Sequence, residues 1–212
     1  MIAIVDYGVG NLFSLKSSLA AIGAEAIVTG DADVLRQADK IILPGVGAFG
    51  DAAAKLRATG LDTVVIEEAK AGKPLMGICL GMQMLFEKSY EYGEHDGLGL
   101  IRGAVRPIDD LTKGTMKIPH IGWNALAFPE GKEKDPVFRY INEGDHVYFV
   151  HSFCGVDCDD ALIAYTDYGA KITAAVADGN VCGMQFHPEK SGKVGLAILA
   201  AFCGCDPASI GK

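Results

Sequence analysis

The stretch Lys73-Pro74-Leu75-Met76-Gly77-Ile78-Cys79-Leu80-Gly81-Met82-Gln83-Met84-Leu85-Phe86 constrains this chain more than any other. It reads as a buried strand, a tight turn at Cys79 and a helix. Gly77-Ile78-Cys79-Leu80-Gly81 has the spacing of a nucleophile elbow, with cysteine in the place of serine. Small residues two before and two after the nucleophile let the backbone turn sharply and bring strand and helix together. The turn lifts the sulfur above the end of a sheet. The helix beyond it points free backbone N–H groups, and the positive end of its dipole, at that sulfur. Both effects favour thiolate over thiol. The alternative is a buried structural cysteine, a common state for a free thiol.

The first 90 residues alternate between apolar runs and helical patterns. Ile2–Tyr7, Ala24–Thr29, Lys40–Leu43 and Lys73–Ile78 read as strands. Leu12–Ile22, Asp31–Gln37, Asp51–Arg57 and Thr63–Ala71 read as helices between them, with Gly23 closing the first. This alternation predicts an α/β fold with a mostly parallel central sheet flanked by helices on both faces. Sites in such sheets form beyond the carboxyl ends of the strands. Cys79 and the loop Pro44-Gly45-Val46-Gly47-Ala48-Phe49-Gly50 both follow strands, so both belong at that edge. With three glycines in seven residues, the loop can aim backbone N–H groups at an oxyanion, or it can be a plain strand-to-helix connection. Gly8-x-Gly10 also follows a strand, but Phe13 stands where a dinucleotide fingerprint needs its third glycine.

Beyond Phe86 the character changes. Glu87–Gly99 is polar and glycine-rich and reads as an exposed loop, with His95 as a solvated residue. The second half is strand-rich: Val147–Phe153, Ala161–Thr166, and Ile172–Ala177 joined to Val181–Phe186 by the three-residue connection Asp178-Gly179-Asn180. Val194–Cys203 reads as a closing helix. With 212 residues, half of them hydrophobic, and no linker or repeat, the expectation is a single domain over 1–212.

Composition excludes several function classes. A net charge of −8 with scattered lysines and arginines leaves no footprint for nucleic acid or an anionic membrane. Met1–Asp6 reaches a carboxylate at once, so neither a signal peptide nor a membrane span is expected there, and a cytoplasmic location is. The cysteines Cys79, Cys154, Cys158, Cys182, Cys203 and Cys205 lack paired zinc-ligand spacing. They read as thiols rather than as a metal site or a disulfide framework.

A cysteine nucleophile needs a base, itself oriented by a third group. Of the histidines, His146 suits a strand edge, and His120, His151 and His187 remain. His187-Pro188-Glu189 follows a strand, and Pro188 holds its neighbours in a stiff relation. Glu189 can accept from one imidazole nitrogen while the other faces the thiol, and its charge raises the imidazole's basicity. His151, in Tyr148-Phe149-Val150-His151-Ser152-Phe153, is the rival base or a pocket-wall histidine.

The elbow, with Gln83, and His187-Pro188-Glu189 resemble the class I, or triad, glutamine amidotransferases over nearly the whole chain. Further stretches narrow the resemblance: Asp6-Tyr7-Gly8-Val9-Gly10-Asn11, Leu43 to Phe49, Lys117-Ile118-Pro119-His120-Ile121-Gly122-Trp123-Asn124, Tyr148 to Ser152, and Gln185 to Ser191. They are similar to the glutaminase subunits of imidazole glycerol phosphate synthases. The resemblance implies a flavodoxin-like fold and a Cys79, His187, Glu189 triad that needs no cofactor or metal. It implies oxyanion donors at Leu80, Val46 and Gly47, and glutamine contacts at Gly47, Gln83, His151, Ser152 and Phe153. Phe153 departs from the tyrosine common in the family. The resemblance also implies a heterodimer with a (β/α)8-barrel synthase subunit, met near Asn11, Pro119, Trp123, Tyr148 and Lys190. A peptide flip in the Pro44–Gly47 loop would couple that partner to the oxyanion donor. The rival readings are the glutaminase of an anthranilate or pyridoxal-phosphate synthase type, a cysteine peptidase or esterase, and a non-catalytic partner-binding module. The Pro-Gly-Val-Gly and Trp123 stretches argue against the first, and the complete triad against the last.

Overall fold

A computed structural model describes residues 1–206; residues 207–212, the end of the expected domain, lie outside it. The first half alternates as its periodicity predicts: β1 (Ile2–Val5), α1 (Leu12–Ala21), β2 (Ala26–Thr29), α2 (Ala32–Gln37), β3 (Lys40–Leu43), α3 (Phe49–Ala58), α4 (Leu61–Lys70), β4 (Leu75–Ile78) and α5 (Leu80–Leu85). The second half adds β5 (Phe86–Ser89), β6 (His95–Asp96), β7 (Ile101–Pro107), α6 (Ile108–Thr112), β8 (His120–Ala125), β9 (His146–His151), β10 (Phe153–Val156), β11 (Leu162–Asp167), β12 (Lys171–Asp178), β13 (Val181–Met184) and α7 (Gly192–Cys203).

The central sheet has seven strands in the order β11-β12-β13-β4-β3-β1-β2. The five strands from β13 to β2 run parallel, and β12 and β11 add antiparallel at one edge. Strand residues alternate between two apolar layers. Ala3, Val5, Ile41, Leu43 and Leu75 pack with Leu35, Phe49, Leu56 and Val64 of α2, α3 and α4. Ile2, Ile4, Ile42, Met76 and Ile78 pack with Leu15, Leu19, Ile198 and Leu199 of α1 and α7. Both faces are therefore dry, which is why these strands are unbroken apolar runs.

Two segments differ from the sequence reading. Glu87–Gly99 is not an exposed loop. It contains β5 and β6, which join β7 and β10 in a second sheet, and Glu91 is buried. The Glu91 carboxylate accepts from the Phe49 N–H at the start of α3 at 2.8 Å. His95 is correspondingly not solvated: it is half-buried, and its Nε2 lies 3.0 Å from the Glu91 carbonyl. Tertiary hydrogen bonds here override a polar composition. The second difference is the β12–β13 hairpin, where Asp178 pairs with Val181, leaving only Gly179 and Asn180 in the connection. The Asn180 amide donates to the carbonyls of Ala69 and Lys73 at 2.8 Å each, tightening the turn.

The elbow is held by close backbone approach. Gly77 of β4 pairs in register with Leu43 of β3 and with Gly183 of β13. A Cβ on Gly81 would lie 1.9 Å from the Leu43 carbonyl oxygen, and one on Gly77 would lie 2.7 Å from the Gly81 oxygen. The helix α5 can sit this low only on glycine. Gly81→Ala is therefore expected to destabilise the fold by about 3 kcal/mol, the upper range for overpacking. Urea unfolding followed by circular dichroism checks this; an unchanged midpoint would show that α5 can lift freely.

Candidate active site

Cys79 occupies the junction of β4 and α5 with φ 54° and ψ −111°, a left-handed-side backbone that costs a non-glycine residue on the order of 1–3 kcal/mol. Its N–H donates to the Met184 carbonyl at 2.7 Å, tying the elbow to β13. The next residue, Leu80, begins α5, so its N–H has no intrahelical acceptor. The helix is shorter than the sequence suggested, since Phe86 already belongs to β5.

His187 leaves the end of β13 and meets Cys79. Its Nδ1–H donates to Glu189 Oε1 at 2.8 Å, and both side chains are 3% exposed. This bond leaves the other nitrogen for Cys79, which lines the same cavity as the imidazole. Burial by itself would lower the His187 pKa. The hydrogen bonds to Cys79 and Glu189, and the charges of both, outweigh it and raise the value to about 9. With Cys79 ionised beside it and Glu189 behind it, the charged ring is the favoured form. The backbone of His187 is fixed as well: its N–H donates to the Tyr148 carbonyl at 3.0 Å, and its carbonyl accepts from Ser191 Oγ at 2.7 Å. Glu189 Oε2 is buried without a hydrogen-bond partner.

His151, the rival base, has both nitrogens engaged elsewhere. Nδ1 lies 2.8 Å from the Phe153 carbonyl, which can only accept, so the proton is on Nδ1. Nε2 lies 2.9 Å from Nδ1 of His120, which is stacked on Phe149 and Tyr168. Burial pushes the His151 pKa down to about 3 and lowers that of His120. His151 is a neutral wall residue.

These groups open into a cavity of about 400 Å³ lined by Cys79, Leu80, Gln83, His187, Val46, Gly47 and the 150–153 segment. All of the expected glutamine contacts, Gly47, Gln83, His151, Ser152 and Phe153, border it. Gln83 Nε2 donates to the Phe153 carbonyl at 3.0 Å. The Phe153 ring instead meets Tyr92 edge-on, so these hydrogen bonds do not depend on a hydroxyl at position 153. Gly47 has φ +94°, a backbone state open to glycine, and Tyr7 Oη donates to the Pro44 carbonyl at 2.8 Å to anchor the loop's start. Sequence reasoning missed Glu91 and Tyr92, which also line the cavity. No periodicity marks them, because β5 and β6 bring them in. Burial raises the Glu91 carboxyl above its ordinary value. A wider depression of about 750 Å³, bordered by Glu87, Arg102, Asp157 and Asp178, contains neither Cys79 nor any of its partners.

The expected partner residues divide into two groups. Trp123 is 53% exposed and lies edge-on to Tyr148, with Lys190 Nζ 5.9 Å from the Tyr148 ring centre. Pro119 is exposed, and with Lys190 it borders the cavity mouth. Asn11 instead precedes α1 and sits behind the site with Pro44, Gly45 and Glu189. All six cysteines are free thiols. Among the described residues, no helix is long and apolar enough to cross a membrane.

The fold and the site define a class. The glutamine amidotransferase class-I profile matches residues 3–203, and the chain belongs to that family. Solved structures with the same fold include one described as the structure of PurLQS from Thermotoga maritima, with a TM-score of 0.74, 24% identity and coverage of 96% of this chain and 97% of that one. Another, described as a glutamine amidotransferase, has a TM-score of 0.73 at 20% identity, covering 96% and 100%. Relatives in sequence are more particular. The imidazole glycerol phosphate synthase subunit HisH of Lactococcus lactis is 48% identical over 95% of this chain and 96% of its own length. The subunit of the same name from Aquifex aeolicus is 47% identical over 94% of each.

The imidazolium follows from its two neighbours, so Glu189→Gln and Cys79→Ala should each lower the His187 titration midpoint from about 9. Imidazole 15N shifts recorded against pH check this, and an unmoved midpoint in both variants would refute the ion-pair account.

Proposed function

We propose that this chain, as a single domain, hydrolyses glutamine to glutamate and ammonia, and passes the ammonia to a separate (β/α)8-barrel synthase subunit. The barrel would use it in histidine biosynthesis, in the cytoplasm, to make imidazole glycerol phosphate and an aminoimidazole carboxamide ribotide. One observation carries the reading: Cys79 and His187, the latter bonded to a buried Glu189, line one cavity of about 400 Å³, in a chain nearly half identical to HisH subunits.

The chemistry follows from the geometry. Cys79 attacks the side-chain amide carbon of glutamine as thiolate, and the carbonyl electrons move onto oxygen. The N–H groups of Leu80 and of the Val46-Gly47 loop receive that oxyanion; such donors are worth about 2.7–4 kcal/mol each. The His187 imidazolium then gives its proton to the departing nitrogen, and ammonia leaves. The neutral imidazole next takes a proton from water, which attacks the thioester and releases glutamate and thiolate. Glu189 holds the tautomer throughout and stabilises the charged ring. Glu91, a buried carboxylate bordering the cavity, suits the substrate's ammonium group.

The Pro119, Trp123, Tyr148 and Lys190 face suits the barrel. An exposed indole and a half-buried phenol beside one cation is the composition of an interface anchor. The Tyr148 carbonyl accepts from the His187 N–H, so pressure on this face reaches the base through one hydrogen bond.

With a barrel subunit and glutamine supplied, Cys79→Ala should abolish glutamine-dependent synthesis, and His187→Ala should lower it by about 10²–10⁴-fold. Synthesis from added ammonia should persist in both. Retained glutamine turnover in Cys79→Ala would overturn the nucleophile. The same assay without barrel or nucleotide reads the glycine loop: full glutaminase activity of the free chain would refute the peptide flip. Trp123→Ala is expected to weaken barrel binding by about 2 kcal/mol, roughly thirtyfold in Kd. Titration calorimetry measures it, and an unchanged affinity would move the interface elsewhere.

A further inference from the structure

Gln185 belongs to the segment that carries His187 and Glu189, yet the reaction described above gives it no part. Its side chain is completely buried, and a buried amide must find partners for its oxygen and its NH2. The partners form a chain whose direction is forced from one end. The Phe153 carbonyl can only accept, so Gln83 turns its NH2 to it, at 3.0 Å. The same NH2 lies 3.1 Å from Gln185, so Gln185 must answer with Oε1. The Gln185 NH2 is then the group left facing Cys79, with Nε2 3.9 Å from Sγ. The Gln185 main chain is anchored separately, its N–H donating to the Ala174 carbonyl of β12 at 2.8 Å.

We propose that Gln185 is a further catalytic residue, which donates a hydrogen bond to the Cys79 thiolate and is held in that orientation by Gln83. The inference rests on Cys79 being the nucleophile. A donor at sulfur favours the charged form over the thiol and over the thioester. It therefore holds the thiolate ready before attack, and it stabilises the same thiolate when water expels it from the acyl intermediate. The bond loosens between those two moments, when sulfur carries an acyl group. A second consequence concerns Gln83. Both hydrogens of its NH2 are committed inside the protein, so it meets the bound substrate only through Oε1. Gln83 thus reads a donor on the substrate, an amide NH2 or an ammonium, and not a carboxylate. The other ionisable groups around Cys79 include His187, backed by Glu189, Tyr7 just beyond β1, His151 beyond His187, and Glu91, Tyr92 and Lys190 lining the same cavity.

The test uses Gln185→Met, which keeps the length and removes the donor. Iodoacetamide labelling of the Cys79 peptide is followed by mass spectrometry, so the other thiols do not interfere. The quantity read is the ratio of the labelling rate at pH 10 to that at pH 6. The ratio cancels the intrinsic nucleophilicity of the thiolate. Loss of one hydrogen bond to a charged atom should raise it about tenfold. In glutamine hydrolysis, kcat should fall about tenfold with KM little changed. Gln83→Leu should raise the labelling ratio in the same direction and should also raise KM, because it removes the substrate-facing oxygen. It serves as the variant of record if Gln185→Met melts below the assay temperature. A merely structural Gln185 would lower the melting temperature and leave the labelling ratio unmoved, and that result overturns the proposal. Labelling needs no glutamine. A raised ratio in a chain that never hydrolyses glutamine would therefore sustain the donor and refute the glutaminase reading.

Discussion

The contact between Gly81 and the Leu43 carbonyl, with room for no Cβ between them, sets the height of α5 above the sheet. Everything at the site is measured from that height. The register-paired Gly77 and Gly183 make a flat floor across β4 and β13, and α5 lies down on it with Met82 over Gly183. A low helix leaves the chain no room for a relaxed turn, so Cys79 is driven to φ 54°. The strain is supported by the bond from the Cys79 N–H to β13 and by apolar layers above and below. The sulfur is thereby held still at a sheet edge, where a flexible loop would have let it wander.

Charge placement then separates chemically similar side chains. His151 and His187 are both buried, and burial disfavours the charged form of each. His187 has a carboxylate and a thiol to oppose that cost, and it stands raised to about 9. His151 faces a carbonyl and the His120 imidazole, and burial takes it down to about 3. His151 ends β9 and His187 follows β13, so the difference arises from what the fold sets beside each ring.

The site and the exposed aromatic face share backbone. Tyr148 is half-buried edge-on to Trp123, while its carbonyl holds the His187 N–H and its own N–H donates to Ser191 Oγ. Ser191 Oγ returns to the His187 carbonyl. A subunit that bore on this face would act on His187 through its direct bond to Tyr148 and through Ser191, without a relay through the core.

Much of this was legible in residue order. The elbow pattern, the stiff His-Pro-Glu turn and the alternation of buried strands with amphipathic helices are local. Local spacing carries them because strand and helix periods and proline geometry act within a few residues. The parallel sheet and the Cys79, His187, Glu189 grouping followed from the rule that strand carboxyl ends share one edge. Tertiary structure alone decided the rest. Glu91 and His95 read as solvated because their neighbours are polar; they are covered because Glu91 closes the start of α3, a partner 42 positions away. Gln83 and Gln185, 102 residues apart, acquire a direction only when a carbonyl at Phe153 fixes which end of each amide must turn. Sequence spacing determines which side chains leave a strand end together. It cannot determine the polarity of a hydrogen-bond chain, because that is set by whichever distant backbone group terminates it.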